Sequence, residues 1–201
     1  MCIRDSNEDV LGTDPKTLLQ QQKPSFPPTM HPYKVVANLP YYITSPVLRH
    51  FLEASVKPDL MIVMVQKEVA EAIVAQPGQR SMLSISVQFY GKPEIISYVP
   101  ARCFYPAPEV DSAILRVSLY PQPVVAVADT KGFFEVVRAG FAAPRKQLAN
   151  SLAQGLGLPK AEALLLLGKA EILPQRRAET LTLDEWAQLC QILAQAGKLA
   201  C

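Results

Sequence analysis

At 201 residues, with 49% hydrophobic and 19% charged side chains, the chain holds enough apolar material for a real core, and suits one large domain or one domain with a small appendage. Its formal net charge of +2 is compatible with a nucleic-acid partner but far below the basic excess that would itself argue for one. No apolar run approaches the roughly 18 residues needed to span a bilayer, and the start MCIRDSNEDV is not organised as a secretory signal, so a soluble cytoplasmic protein with no membrane association is expected.

From Thr13 to Pro32 the chain is polar and proline-punctuated, which predicts a short helix at most and then a loop. The regular core starts at Tyr33, where YKVVAN is the short β-branched run of a buried parallel strand. Thr44-Ser45-Pro46 reads as an N-cap followed by a helix-starting proline. The helix that follows, through about Ala54, offers Val47, Leu48, Phe51 and Leu52 on one face. Leu60 to Val65 is a continuous apolar strand, and from Gln66 the spacing turns helical until QPGQR. Strand, helix, strand, helix implies crossovers and a parallel sheet.

SMLSISVQFYG is open between helix and strand on periodicity alone. PEIISYVP and VDSAILRVSLY read as two strands flanking the proline-rich bend ARCFYPAPE, and so short a connection suits an antiparallel pair at a sheet edge. PQPVVAVADT is a linker, after which three segments with helical spacing follow, the last with Asp184 in its cap region.

The four cysteines, Cys2, Cys103, Cys190 and Cys201, form no C-x-x-C, and His31 and His50 stand alone, so neither a disulfide framework nor a metal site is expected. Cys103 and Cys190 read as core or half-buried residues and His50 as a helix-surface residue.

Asn38-Leu39-Pro40-Tyr41 ends the first strand, and strand ends of an open parallel sheet face the crevice where ligands bind. Pro40 removes a donor and drives Leu39 into an extended conformation, which keeps the Leu39 carbonyl out of a helical ladder. Two acceptors, the Asn38 side-chain oxygen and the Leu39 carbonyl, beside the aromatic face of Tyr41 suit a planar heterocycle bearing an exocyclic amine. An asparagine turn with two tyrosines packed on the sheet edge explains the same residues and stays open at this point. A second aromatic and proline block, FYPAPEVDS from Phe104 to Ser112, favours the first reading.

NLPYYITSP, VMVQKEVAEAIVAQPG, FYPAPEVDSAILRV and RAGFAAPRKQLANSL, in this order, resemble the ribosomal RNA adenine dimethyltransferases, especially their bacterial small-subunit branch. The resemblance covers most of the chain from about Asp9. It implies an α/β fold: a partial Rossmann-like S-adenosylmethionine-dependent methyltransferase sheet, followed by a small all-helical domain. The expected division is a catalytic part over 1–120, a linker over 121–129 and a helical RNA-binding part over 130–201.

The activity implied is transfer of methyl groups from S-adenosylmethionine to N6 of two adjacent adenosines in a small-subunit ribosomal RNA hairpin loop, within an immature small subunit and in the course of its maturation. By the resemblance, Asn38, Leu39, Pro40 and Tyr41 form the catalytic motif, and Tyr41 and Phe104 stack the base. It also places Asp9 and Asn38 at the cofactor, and Arg145 and Lys146 on RNA phosphate. Tyr42 and Tyr105 are expected to be core aromatics. Lys67 and Glu68 face RNA or form a solvated first helical turn, and Arg176 and Arg177 are divided between RNA contact and ordinary surface charge. A monomer is expected.

One family element is missing. The sequence has no glycine-rich G-x-G-x-G or E-x-G-x-G loop, and its one close glycine pair, Gly155 and Gly157, lies in the helical part. An N-terminally incomplete copy is therefore expected, binding S-adenosylmethionine weakly or not at all and exposing a sheet edge or face. Two competing readings remain. An amino-methylase of DNA or of a protein glutamine commonly carries a second proline in place of Leu39. A catalytically inactive RNA-binding assembly factor needs no cofactor loop.

Overall fold

The computed structural model describes residues 7–22 and 33–199. The expected loop up to Pro32, with His31, Cys2 and Cys201, lies outside them. By internal contacts the chain divides into two compact units, one from Met1–Glu71 with Tyr90–Gln122 and the other from Ala72–Phe89 with Pro123–Cys201.

The first unit is built on a sheet of four strands, β1 Lys34–Asn38, β2 Leu60–Gln66, β3 Gly91–Val99 and β4 Ser112–Leu119, in the order β1-β2-β4-β3. β1 and β2 are parallel, with Lys34 opposite Leu60 and Asn38 opposite Met64. Both other pairings are antiparallel, and the short bend between β3 and β4 requires this of the β3–β4 pair. The β2–β4 register sets Met61 against Val117, Val63 against Leu115 and Val65 against Ala113, and all six are buried, so one sheet face is core.

Preceding this sheet is a short helix, α1 Pro15–Gln22, and a second, α2 Thr44–Glu53, joins β1 to β2. α2 buries Val47, Leu48 and Leu52 and leaves Phe51 half-buried, the face read from the sequence. Its start differs from expectation. A 3₁₀ turn over Tyr41–Ile43 leads directly into the helix, Ile43 takes the cap position, and Thr44 is already helical. The Thr44 hydroxyl is thus buried without a hydrogen-bond partner instead of capping.

β1 also departs from the sequence reading. It is parallel as expected but not buried: Lys34, Val36 and Asn38 are exposed, Val36 at 78%. The three alternate along the strand and so share one sheet face, which stays open to solvent, and among the described residues β1 pairs with β2 alone.

After β2 comes α3 Lys67–Val74, within which the division between the units falls, and then α4 Met82–Tyr90. SMLSISVQFYG, open in the sequence, is therefore mostly helix. The second unit adds α5 Thr130–Gly140, α6 Leu148–Leu156, α7 Lys160–Lys169 and α8 Leu183–Gln195. Asp129 caps α5, its carboxylate accepting from the Lys131 and Gly132 amides. α6 ends on Gly157 at φ 66°, a left-handed residue that glycine takes without steric cost. Thr182 and Glu185 form a capping box on α8, so the cap lies two residues before Asp184, which sits in the first turn.

The core of this unit holds a cluster of Phe89, Phe133 and Phe134, with the first two rings stacked at 4.7 Å. Trp186, fully buried, lies 6.0 Å from Phe141 and over Gly140, where a Cβ would overlap its ring. Gly155 is as constrained, since a Cβ there would meet Ala139 Cα at 2.5 Å. α5 and α6 approach too closely at that point for any side chain.

Candidate functional site

At the C-terminal end of β1 the parallel ladder runs one bond further, the Leu39 amide donating to the Met64 carbonyl at 3.3 Å. Leu39 is buried, which anchors the segment, while Asn38 on one side and Pro40 on the other stay exposed. Pro40 holds φ −57° and ψ 132°, so the chain is extended there before it tightens into the Tyr41–Ile43 turn. Neither the Asn38 side chain nor the Leu39 carbonyl has a hydrogen-bond partner among the described residues. Both acceptors are available at the strand's end.

Tyr41 is fixed from below. Its hydroxyl lies 2.7 Å from the Oγ of Ser112, a fully buried residue at the first position of β4. Ser112 closes the FYPAPEVDS block, and that bond joins the block to the turn after β1. Asp111 holds the same loop at two further points. Its carboxylate accepts from the Ala101 amide at 3.0 Å, and its carbonyl accepts from the Lys67 amide at 2.9 Å. The sequence reading gave neither Asp111 nor Ser112 a role. A buried serine paired with a tyrosine 71 positions away leaves no local spacing signal.

These ties bring two distant segments around one cavity of about 340 Å³, lined by Asn38, Leu39, Pro40, Tyr41, Phe104, Tyr105, Pro106 and Pro108. Its volume lies at the lower end of the roughly 300–1,000 Å³ common for small-molecule sites. The lining carries no charged side chain. It offers neutral acceptors, aromatic rings and prolines, a set suited to a flat, uncharged group with N–H donors and poorly suited to phosphate or a carboxylate. With no acid or base in the lining, the chemistry it supports is holding and orienting.

The other predicted residues are distributed as follows. Tyr42 and Tyr105, expected in the core, stand in solvent, Tyr42 at 86% exposure and Tyr105 wholly exposed. Each follows a half-buried aromatic on a loop, so the inner ring takes the available cover. Cys103, in the turn before Phe104, is exposed as well, whereas Cys190 is buried as expected. Asp9 lies on an exposed turn, where its carboxylate accepts from the Leu11 amide at 3.0 Å and its carbonyl from Gly12. His50 lies on α2, its Nε2 within 3.0 Å of the Thr13 carbonyl.

Lys67 opens α3 with its ammonium 5.5 Å over the Tyr98 ring, and Glu68 beside it is exposed. A second concavity in this unit, about 360 Å³, is bounded by β1 and α1 and includes Val10, Leu18, Tyr33 and Val36. Burial first, then the charge of Asp14, raises the Tyr33 phenol to about 12.

In the helical unit Arg145 and Lys146 lie on the turn before α6, exposed and without an ion pair among the described residues. Arg176 is different. It pairs with both Glu185 oxygens and donates to the Thr180 carbonyl at 2.7 Å, which holds the loop onto the start of α8. Its charge is spent inside the fold. Arg177 is more exposed, 4.0 Å from Glu179. Among the described residues no group of His, Cys, Asp and Glu is placed to hold a metal ion, and no helix is long and apolar enough to cross a membrane.

The profile of the family described as ribosomal RNA adenine dimethylase matches residues 6–195. A Dehalococcoides mccartyi protein named ribosomal RNA small subunit methyltransferase A is 51% identical over 189 residues, covering 94% of this chain and 62% of that protein. An Enterococcus faecalis protein of the same name is 45% identical over 168 residues, covering 81% and 57%. The chain thus spans about three-fifths of the length of these relatives. Among solved structures, a dimethyladenosine transferase from Plasmodium falciparum superposes over 87% of this chain and 70% of its own, at TM-score 0.73 and 22% identity. The 23S rRNA methyltransferase ErmE superposes over 94% and 71%, at TM-score 0.65 and 24% identity. These two establish likeness of fold.

Proposed function

The chain belongs to the ribosomal RNA adenine dimethylase family, and on that premise we propose that it carries the adenosine-holding part of an enzyme that dimethylates N6 of two adjacent adenosines in a small-subunit ribosomal RNA hairpin loop. The observation that supports this best is the uncharged cavity in which residues 38–41 meet residues 104–108.

The amine nitrogen of adenine is a poor nucleophile because its lone pair is delocalised into the ring. The Asn38 side-chain oxygen and the Leu39 carbonyl accept the two amine hydrogens. That restrains the amine out of conjugation and aims its lone pair. Tyr41 and Phe104 grip the base from two segments, and the Ser112 bond sets the position of the Tyr41 ring. Catalysis by these residues is positioning and electrostatic preorganisation, with no covalent intermediate on the protein. A loop adenosine is already unstacked, which lowers the cost of bringing it in.

The methyl donor in this reading is S-adenosylmethionine, which supplies an electrophilic methyl on a sulfonium. Of the residues present, Asn38 is assigned to its reacting end. No glycine-rich cradle is in the sequence, and the one close glycine pair serves other ends, Gly155 the contact with Ala139 and Gly157 the end of α6. The Asp9 carboxylate is the remaining group assigned to the donor. Arg145 and Lys146, exposed and without an ion pair among the described residues, are assigned to RNA phosphate, with the immature small subunit as partner and the chain acting as a monomer.

The test compares this chain with a version extended at its N-terminus by the matching segment of the Dehalococcoides mccartyi relative. Both are incubated with unmethylated small subunits and labelled S-adenosylmethionine. Label recovered as N6-dimethyladenosine with the extended version supports the reading. Binding of subunits without transfer by that version would replace it with an inactive assembly factor.

A further inference from the structure

The two segments that meet at the cavity each carry two consecutive aromatics, of which Tyr41, Phe104 and Tyr105 line it and Tyr42 does not. Tyr41 and Phe104 are half-buried, whereas Tyr42 and Tyr105, one residue further on each, are 86% and wholly exposed. Neither outer hydroxyl has a hydrogen-bond partner among the described residues. Their positions are held all the same. Tyr42 is the middle residue of the 3₁₀ turn that the Pro40 carbonyl closes by accepting from the Ile43 amide. Tyr105 lies between Phe104 and Pro106 in the loop that Asp111 ties at both ends.

We propose that Tyr42 and Tyr105 form an outer stacking pair for the nucleotides on either side of the one held in the cavity, so that the site grips a short single-stranded run and not one base. The inference rests on the function proposed above and extends it from one base to three. The occupant is RNA and not a protein surface. Single protruding rings on separate loops present little contiguous apolar area, yet each offers an open π face, and every base stacks on such a face. Arg102, exposed and without an ion pair among the described residues, lies two positions before Phe104 and supplies charge for the intervening phosphates. Glu109, also exposed on this loop, opposes it in part. Stacking therefore carries most of the grip.

The test uses the chain as it stands and hairpin RNAs with 2-aminopurine, whose fluorescence reports stacking, at the target position or at either neighbour. Tyr42→Ala and Tyr105→Ala are each expected to weaken binding about 5-fold, the low end for one stacked base, and to remove the protein-induced change at one neighbour while leaving that at the target intact. Tyr42→Phe and Tyr105→Phe keep the rings and are expected to bind as the parent does. Neighbour signals that persist in both alanine variants overturn the outer pair. If the target signal also fails to respond to Phe104→Ala, or no hairpin binds, the base-holding reading falls with it.

Discussion

The bond between Tyr41 and Ser112 makes an asymmetric prediction. Ser112 is fully buried and Tyr41 only half so, and their oxygens lie 2.7 Å apart. Tyr41→Phe leaves the serine hydroxyl buried with no partner, and an unsatisfied buried polar group costs about 1–3 kcal/mol. Ser112→Ala removes the same bond but leaves the orphaned hydroxyl on Tyr41, the less buried of the two residues, so the expected loss is the smaller one, about 0.5–1.5 kcal/mol. With both groups removed nothing polar is stranded, and the double variant should cost less than the sum by about 1 kcal/mol. Urea unfolding of the parent, both single variants and the double gives all three numbers. Equal costs for the single variants, with additive behaviour in the double, would refute the claim that this bond anchors the turn to β4.

The glycines yield a contrast between identical substitutions. Gly155→Ala forces a Cβ to 2.5 Å from the α5 backbone and should destabilise by about 1–3 kcal/mol, whereas Gly168→Ala in α7 meets nothing within 4 Å and should stabilise by up to about 1 kcal/mol. Thermal melts of the two variants check both signs. Burial pushes the Glu185 carboxyl up, but its bonds to Arg176 and to the Thr182 amide outweigh this and hold it below the ordinary 4.5. A carboxylate depressed in the folded state contributes its stability in full above the unfolded value and loses it as pH falls through the folded one. The stability gap between the parent and Glu185→Gln should therefore be constant above about pH 5.5 and shrink from there towards pH 3. Denaturation midpoints across that range measure it, and a gap independent of pH would contradict the pairing.

Much of the fold was legible because local signals and tertiary context agreed. Leu60–Gln66 is a strand and Lys67–Val74 a helix because the periodicity changes where the structure does. The β3–β4 pairing followed from the short proline-rich bend between them. Where the sequence misled, the deciding fact was non-local. YKVVAN has a buried strand's composition, yet burial depends on what covers β1, and among the described residues it has a neighbour on one side only. Tyr42 and Tyr105 have the composition of core residues, and their exposure is set by loops whose course is fixed by Asp111 and Ser112. Thr44 looked like a cap because the 3₁₀ turn before it has no sequence signature of its own. The site residues 38–41 and 104 were legible as motifs; their common cavity depends on contacts about 70 positions apart, such as Tyr41 with Ser112.

The most direct test of the adenine-holding claim is Asn38→Ala in the N-terminally extended version, assayed for subunit binding and for transfer of labelled methyl to adenosine N6. The reading predicts binding within about 2-fold of the parent and transfer reduced about 10²–10³-fold, the usual effect of removing one preorganised polar contact from a reacting group. Transfer at the parental rate would contradict it and remove Asn38 from the chemistry.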